Sequence, residues 1–368
     1  LSLGFFGGDD DNFTYPRYTL DCNFFRVYGE DGKLLKTKHF YKWSANGPKE
    51  GELVFTVGNP GSTSRLSTSD QLEFNRDIQF PWISGLLDDQ VDVLKTYIAK
   101  HPEKKDEMIN QVFSLANGQK AYKGQLEGLR NDVLMQRRKD FDAKFRAKVM
   151  ADPSLKAKYG HLWNEIAESR AKVRAVAPDL LGMRFEVLGA PEYLNQAMSL
   201  ARLVVALDKP EEERAKQYKG DALKLTIRNM SKFKAPDMEM ERMVLAKKLG
   251  QMVKWLGDGD PLVQFALKGQ TPEQAAQRLL NETMLKDSVR FMEFAAGFPE
   301  SIRSSNDPLV VIARMAVPRQ QAAQKVQQEF AARDEVNNAQ LGRALFEIYG
   351  TSIPPDATFT LRISDGVV

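Results

Sequence analysis

Cysteine is almost absent from this sequence. A single residue, Cys22, in 368 excludes a disulfide framework within the chain. Long apolar runs are missing too. Leu203-Val204-Val205-Ala206 is far shorter than the roughly 20 apolar residues that span a bilayer. Neither sign of charge prevails: 52 Lys and Arg against 49 Asp and Glu leave a formal charge of +3. So small an excess gives no electrostatic footprint for nucleic acid or a membrane surface, and neither partner is expected. The sequence holds no His-Glu-x-x-His pair and no glycine-rich phosphate loop, and Asp9-Asp10-Asp11 lacks the oxygen spacing of a calcium loop. Accordingly, no metal and no cofactor is expected.

What is present is an ordinary globular composition, 42% hydrophobic and 27% charged, long enough for two domains. The opening Leu1-Ser2-Leu3-Gly4-Phe5-Phe6 has no basic leader and reads like the interior of a strand domain, which predicts a fragment of a longer protein. Residues 1 to about 75 are strand-like. Candidate strands are Phe24–Tyr28, Leu34–His39, Phe40–Trp43 and, most clearly, Glu52–Val57. From about Leu87 to Ile348 apolar residues recur every three or four positions with charges between, the pattern of amphipathic helices. Asp152-Pro153, Thr271-Pro272-Glu273-Gln274 and Asp307-Pro308 mark helix starts, and Pro318 is expected to interrupt the last helix. After Gly350 the texture reverts to a half-buried strand through Ile363, with Ser364-Asp365-Gly366 as a turn. A sheet segment, a long helical stretch and a returning strand predict an α+β chain in which helices are inserted into a sheet domain.

The opening carries the densest chemistry. Two glycines and Asp9–Asn12 make an irregular connection, Pro16 stiffens it, and Asp21 stands at the mouth of a strand. Nucleophiles are harder to place. Ser62 and Ser64 follow Asn59-Pro60-Gly61, a strong turn signal without the Gly-x-Ser-x-Gly spacing of a nucleophile elbow, so both read as turn residues. His39, His101 and His161 fall at a strand end, a helix boundary and the start of a helix, and all three read as structural. Fine alternation of charge, as in Arg137–Lys144, reads as a solvated helix face. The methionines between 230 and 252 read as core filling.

Gly7-Gly8-Asp9-x-Asp11-Asn12-Phe13-x-x-Pro16-Arg17 through Asp21 resembles the segment around the catalytic aspartate of the bacterial dipeptidyl-peptidase 7 and 11 family. The same likeness extends to Gly58–Arg65 and to Tyr349–Arg362. Those enzymes are serine exopeptidases with a chymotrypsin-like double β-barrel and a large, mostly α-helical inserted domain. The resemblance implies that residues 1–78 belong to the barrel, 79–348 to the helical insertion and 349–368 to the returning strand. It implies that Asp21 is the triad acid. Asn12, Phe13 (a Trp in the family) and Asn117 would hold the free amino end of an oligopeptide. The family histidine lies upstream and its serine downstream, so the chain by itself is expected to be inactive. A homodimer and a periplasmic or secreted location follow from the same likeness. The competing reading is a non-catalytic helical scaffold, or a peptide-binding protein, that kept a degenerate barrel.

Overall fold

The computed structural model describes residues 24–230, 235–287 and 297–368. Asp21, Asn12, Phe13 and Cys22 lie outside the described residues. Helix begins well before Leu87. Thr68 accepts a hydrogen bond from the Gln71 amide while Gln71 Oε1 accepts one from the Thr68 amide, a capping box that opens α1 (Ser69–Phe74). A π-helical turn over residues 75–79 carries the chain into α2 (Phe80–Lys100). A long antiparallel partner follows, α3 (Lys105–Arg130), and then α4 (Asp132–Ala151), α5 (Pro153–Tyr159) and α6 (Leu162–Gly182). Next come α7 (Glu192–Leu207), α8 (Gly220–Met230), α9 (Met238–Leu256), α10 (Pro261–Leu267) and α11 (Pro272–Glu282). A short α12 (Glu300–Ser304) leads to α13 (Pro308–Tyr349), 42 residues long.

The start signals act as expected. Asp152 caps α5, Asp307 caps α13, and Thr271 with Gln274 forms a complete capping box on α11. Pro318 does not interrupt α13, which runs through it unbroken. Ala313, Ala316 and Val317 just before it are wholly buried. Packing along that face outweighs the roughly 3 kcal/mol that an interior proline costs a helix.

The two largest hydrophobic cores share α13, and two smaller clusters meet it at Ala323 and Phe330. Its N-terminal half packs with α7, α9, α10 and α11 around Leu249, Leu262, Leu279 and Ile312. The C-terminal half meets α4, α5 and α6 through Phe145, Trp163, Ile166, Leu341 and Leu345. Alanines at 313, 316, 323 and 344 keep the α13 surface low where neighbours press closest.

The sheet is small. β1 (Leu53–Gly58) pairs antiparallel with β2 (Arg362–Val367), Leu53 opposite Val367 and Gly58 opposite Arg362. The return strand therefore lies later than its sequence pattern indicates, and Ser364-Asp365-Gly366 is strand rather than turn. Of the earlier candidates, only Tyr28 and Leu34 form a bridge. Beyond that bridge, residues 36–43 have strand composition without strand structure, because a ladder needs a partner edge that the described residues do not supply there. Directly opposed residues share a face, so Leu53, Phe55, Val57, Ile363 and Val367 line one side of the ribbon, with Asp365 among them opposite Phe55. That side is open, with Phe55 62% and Ile363 68% exposed.

Core and open surface predict unequal responses to truncation. Leu249→Ala, at a wholly buried position, is expected to cost about 2–5 kcal/mol in urea-unfolding measurements. Phe346→Ala, at a position 63% exposed on α13, is expected to cost less than about 1 kcal/mol. Equal losses would contradict the packing described.

Candidate functional site

The chain enters the helical body and leaves it at one place. Leu66 on the way in and Ile353 on the way out both pack against the second core. Just beyond them, Asp356 Oδ1 accepts hydrogen bonds from Thr63 Oγ1 at 2.6 Å and from the Arg65 amide at 2.7 Å. The Ala357 amide donates in turn to Thr63 Oγ1 at 3.0 Å. Arg138 of α4 donates to the Arg65 carbonyl at 2.5 Å, and Arg362 of β2 donates to the carbonyls of Pro355 and Asp356. Asn59 Nδ2 and the Gly61 carbonyl both bond the Phe359 backbone. A carboxylate accepting two bonds at these distances makes a charge-assisted clasp. Two of the three stretches that carry the family resemblance, residues 58–65 and 349–362, thus meet across 293 positions of sequence. A groove of about 710 Å³, bordered by Leu66, Gly342, Phe346, Gly350 and Pro355, lies beside the clasp.

Ser62 sits in this junction, bridged to Thr358 in antiparallel fashion. Among the described residues no serine hydroxyl is hydrogen-bonded to a histidine. Turn chemistry is therefore sufficient to account for Ser62 and Ser64. His39 is exposed, and His161 caps α6 through its backbone carbonyl, which accepts from the Glu165 amide at 3.2 Å.

His101 is better placed. It ends α2, stacks on Tyr97 at 4.5 Å between ring centres, and puts Nε2 3.0 Å from Glu239 on the first turn of α9. Lys100 reaches the other oxygen of Glu239 at 2.6 Å. The hydrogen bond to Glu239 raises the His101 pKa, with Glu103 adding to it. Bonds from Lys100 and then His101 bring the Glu239 carboxyl down to about 2. This pair fastens α2 to α9; it holds no nucleophile.

Asn117 lies on α3, half-buried. Its neighbour Gly118 lies against Leu87. Two residues further, Gln119 Nε2 donates to Asp88 Oδ1 at 2.5 Å, and Lys123 Nζ is 2.8 Å from the same oxygen. Phe80 meets Tyr122 edge-on at 5.5 Å.

Sequence reasoning did not single out several buried charges. Glu241 is sequestered and takes the amides of Glu192 and Tyr193, capping α7 from another helix, and burial raises its pKa. Lys248, also sequestered, donates to the Val187 carbonyl in the α6–α7 loop. Burial lowers its pKa to about 8, opposed by Asp89 and Glu186. Arg319 forks onto Asp260 and reaches Asp179. Each ties two helices together or holds a loop. No signal in one sequence separates such residues from the solvated charges beside them. Among the described residues no group of three His, Cys, Asp or Glu side chains could hold a metal ion.

Comparison with known proteins fits this arrangement. The model of the family "Peptidase S46" matches residues 1–368. An Asp/Glu-specific dipeptidyl-peptidase of Capnocytophaga gingivalis is 25% identical over 257 residues, 67% of this chain and 35% of that protein. A dipeptidyl-peptidase 7 of Porphyromonas endodontalis is 27% identical over 60% of this chain and 27% of its own length. The crystal structure of Porphyromonas endodontalis DPP11 in complex with the dipeptide Arg-Glu superposes with a TM-score of 0.66 at 20% identity. It covers 100% of this chain and 54% of that one. The matches thus span about a third of the curated relatives and half of the solved chain, and the structural likeness extends over the helical body.

Two measurements test the site. Asp356→Ala is expected to weaken the clasp by about 1–3 kcal/mol. Hydrogen exchange would show it as faster exchange at the Arg65 and Ala357 amides, with α9 and α10 unchanged. For His101 the folded pKa lies above its usual 6.5. Its stabilising contribution is therefore complete below pH about 6.5 and is lost as pH rises through the folded value. Wild type should melt above His101→Gln at pH 6, and the gap should narrow as pH rises through the folded pKa. A constant gap would rule out the titration.

Proposed function

The chain belongs to the peptidase S46 family, and from that membership we propose that it is the central portion of a serine-type dipeptidyl peptidase. Such an enzyme releases dipeptides from the free amino end of oligopeptides. The match of the family model to the whole chain carries this reading, and a relative of the same fold has been crystallised with a dipeptide.

In this reading residues 1–78 and 349–368 contribute to a chymotrypsin-like double β-barrel, and 79–348 form the helical insertion. The open face of Leu53, Phe55, Val57, Ile363 and Val367, apolar except for Asp365, supports it, because an antiparallel ribbon with one mostly apolar side normally packs that side on further strands. Asp21 is the triad acid. It accepts a bond from the imidazole of a histidine elsewhere in the polypeptide, fixing its tautomer and stabilising the imidazolium formed as the serine attacks. Asn12 and Asn117 offer amide oxygens to the substrate ammonium, with Phe13 packing beside it. A fixed ammonium site two residues from the scissile bond sets the product length, and the helical body roofs the cleft. Homodimerisation and a periplasmic or secreted location are part of the same proposal.

The chain by itself is expected to release no dipeptide, since the nucleophile and base lie elsewhere. In the full-length polypeptide, Asp21→Asn should lower kcat by about 10⁴-fold with folding intact. An amino-terminally acetylated oligopeptide should resist cleavage where the free peptide is cut. Full activity in Asp21→Asn would remove Asp21 from the triad. A wild-type polypeptide that binds oligopeptides without cutting them would favour the non-catalytic scaffold.

A further inference from the structure

Two Asn-Gly dipeptides occur in the sequence, Asn46-Gly47 and Asn117-Gly118, and the fold treats them oppositely. In such a pair the glycine nitrogen can attack the carbonyl carbon of the asparagine side chain, because no Cβ on the second residue obstructs the approach. Whether the two atoms meet is decided by the local backbone. Asn46 and Gly47 are both exposed, in a turn that belongs to no helix or strand. Gly47 holds φ at +63°, and nothing lies within 4 Å of where its Cβ would stand. This pair is unhindered.

Asn117 meets the opposite conditions. It stands in the interior of α3, where the Gly118 amide is taken up by the hydrogen-bond ladder of the helix. Helical side chains lean back toward the amino end of the helix, away from the amide that follows them. Gly118 also lies against Leu87 of α2, whose methyl carbons are 3.6 Å from the place a Cβ would take. Asn59, the asparagine of another exposed turn, is followed by Pro60 and so has no neighbouring N–H to act as nucleophile. Its Nδ2 is in addition held by the Phe359 carbonyl at 3.0 Å. Of these three asparagines only Asn46 combines a free approach with an attacking amide.

We propose that Asn46 is a site of spontaneous deamidation, converting with time to aspartate and isoaspartate, while α3 preserves Asn117. The Gly47 nitrogen loses its proton and bonds to Asn46 Cγ. The Cγ–Nδ2 bond breaks, and the amide nitrogen leaves as ammonia with that proton. The cyclic imide so formed takes up one water from solvent. Opening at Cγ gives aspartate; opening at the Asn46 backbone carbonyl gives isoaspartate. Either product puts a negative charge where a neutral amide stood, between Lys42 and Lys49. Isoaspartate also routes the main chain through the side chain, adding one carbon to the backbone of the turn that precedes β1. The inference is independent of the peptidase reading. In the barrel proposed above the turn lies between two candidate strands, at their ends, and such connections run over the surface.

The test ages the full-length polypeptide at mildly alkaline pH, folded and, in parallel, unfolded in guanidinium chloride. Trypsin then releases peptides 43–49 and 106–120, each holding one Asn-Gly pair. Mass spectrometry reads conversion as a gain of about 1 Da in each peptide. Isoaspartyl methyltransferase with labelled S-adenosylmethionine marks the isoaspartate. In the folded protein Asn46 should convert at least about tenfold faster than Asn117, which must wait for α3 to open locally. In guanidinium the two should convert within about threefold of each other, because α3 no longer constrains its pair. The methyl label should appear in peptide 43–49 of aged wild type and be lost in Asn46→Gln, with the melting temperature unchanged. Folded-state conversion of Asn46 no faster than that of Asn117 would overturn the proposal. So would a mass gain in peptide 43–49 that never accepts the methyl label, since the imide must open in both directions.

Discussion

A helix of 42 residues extends about 60 Å, longer than any single hydrophobic core of this chain can cover. The structure depends on how α13 meets that constraint. Its two halves are buried by different sets of helices, and the small residues along it let both sets approach without strain. Because one rod passes through both cores, the helical body cannot come apart between them without exposing the middle of α13. The clasp at Asp356 sits just past its C-terminal end, so the position of the β-ribbon is inherited from the same rod.

Much of the helical body was legible beforehand, for local reasons. Capping residues, proline at the first turn and three-to-four spacing are short-range signals, and α5, α11 and α13 begin where those signals stand. Pro318 misled because a rule about one hydrogen bond lost to the burial of Ala316 and Val317. The strands were less legible, for the opposite reason. Residues 36–43 have strand composition, yet a strand exists only against a neighbour, and propensity does not reveal one. Ser364-Asp365-Gly366 read as a turn from composition alone and is held in β2 by pairing with residues 54–56.

The candidate site divides along the same line. Its recognised parts came from the likeness of three separate stretches to one family, and two of those stretches lie in contact at the clasp. Asp356 itself stood inside a quoted segment without a role, since nothing local says that its carboxylate will meet Thr63 and Arg65 from far upstream. Asp88, Glu241 and Lys248 were invisible for the same reason. Each does its work toward another helix or loop, and the sequence separations involved run from 31 to 61 positions. His101, set aside as structural at a helix boundary, is structural and also titratable in place.

The clasp has a consequence for how such a chain could be rearranged. Residues 63 and 356 are within one hydrogen bond of each other, so everything between them starts and finishes at a single point. Removing that stretch and joining the ends by a few residues would require almost no span to be bridged, and closing so short a gap carries little entropic penalty. The reverse holds too: a helical body with adjacent ends can be received by a hairpin of another sheet without pulling its strands apart. Seen this way, the helices are a cartridge, and the hydrogen bonds around Asp356 are the socket that makes exchange geometrically possible.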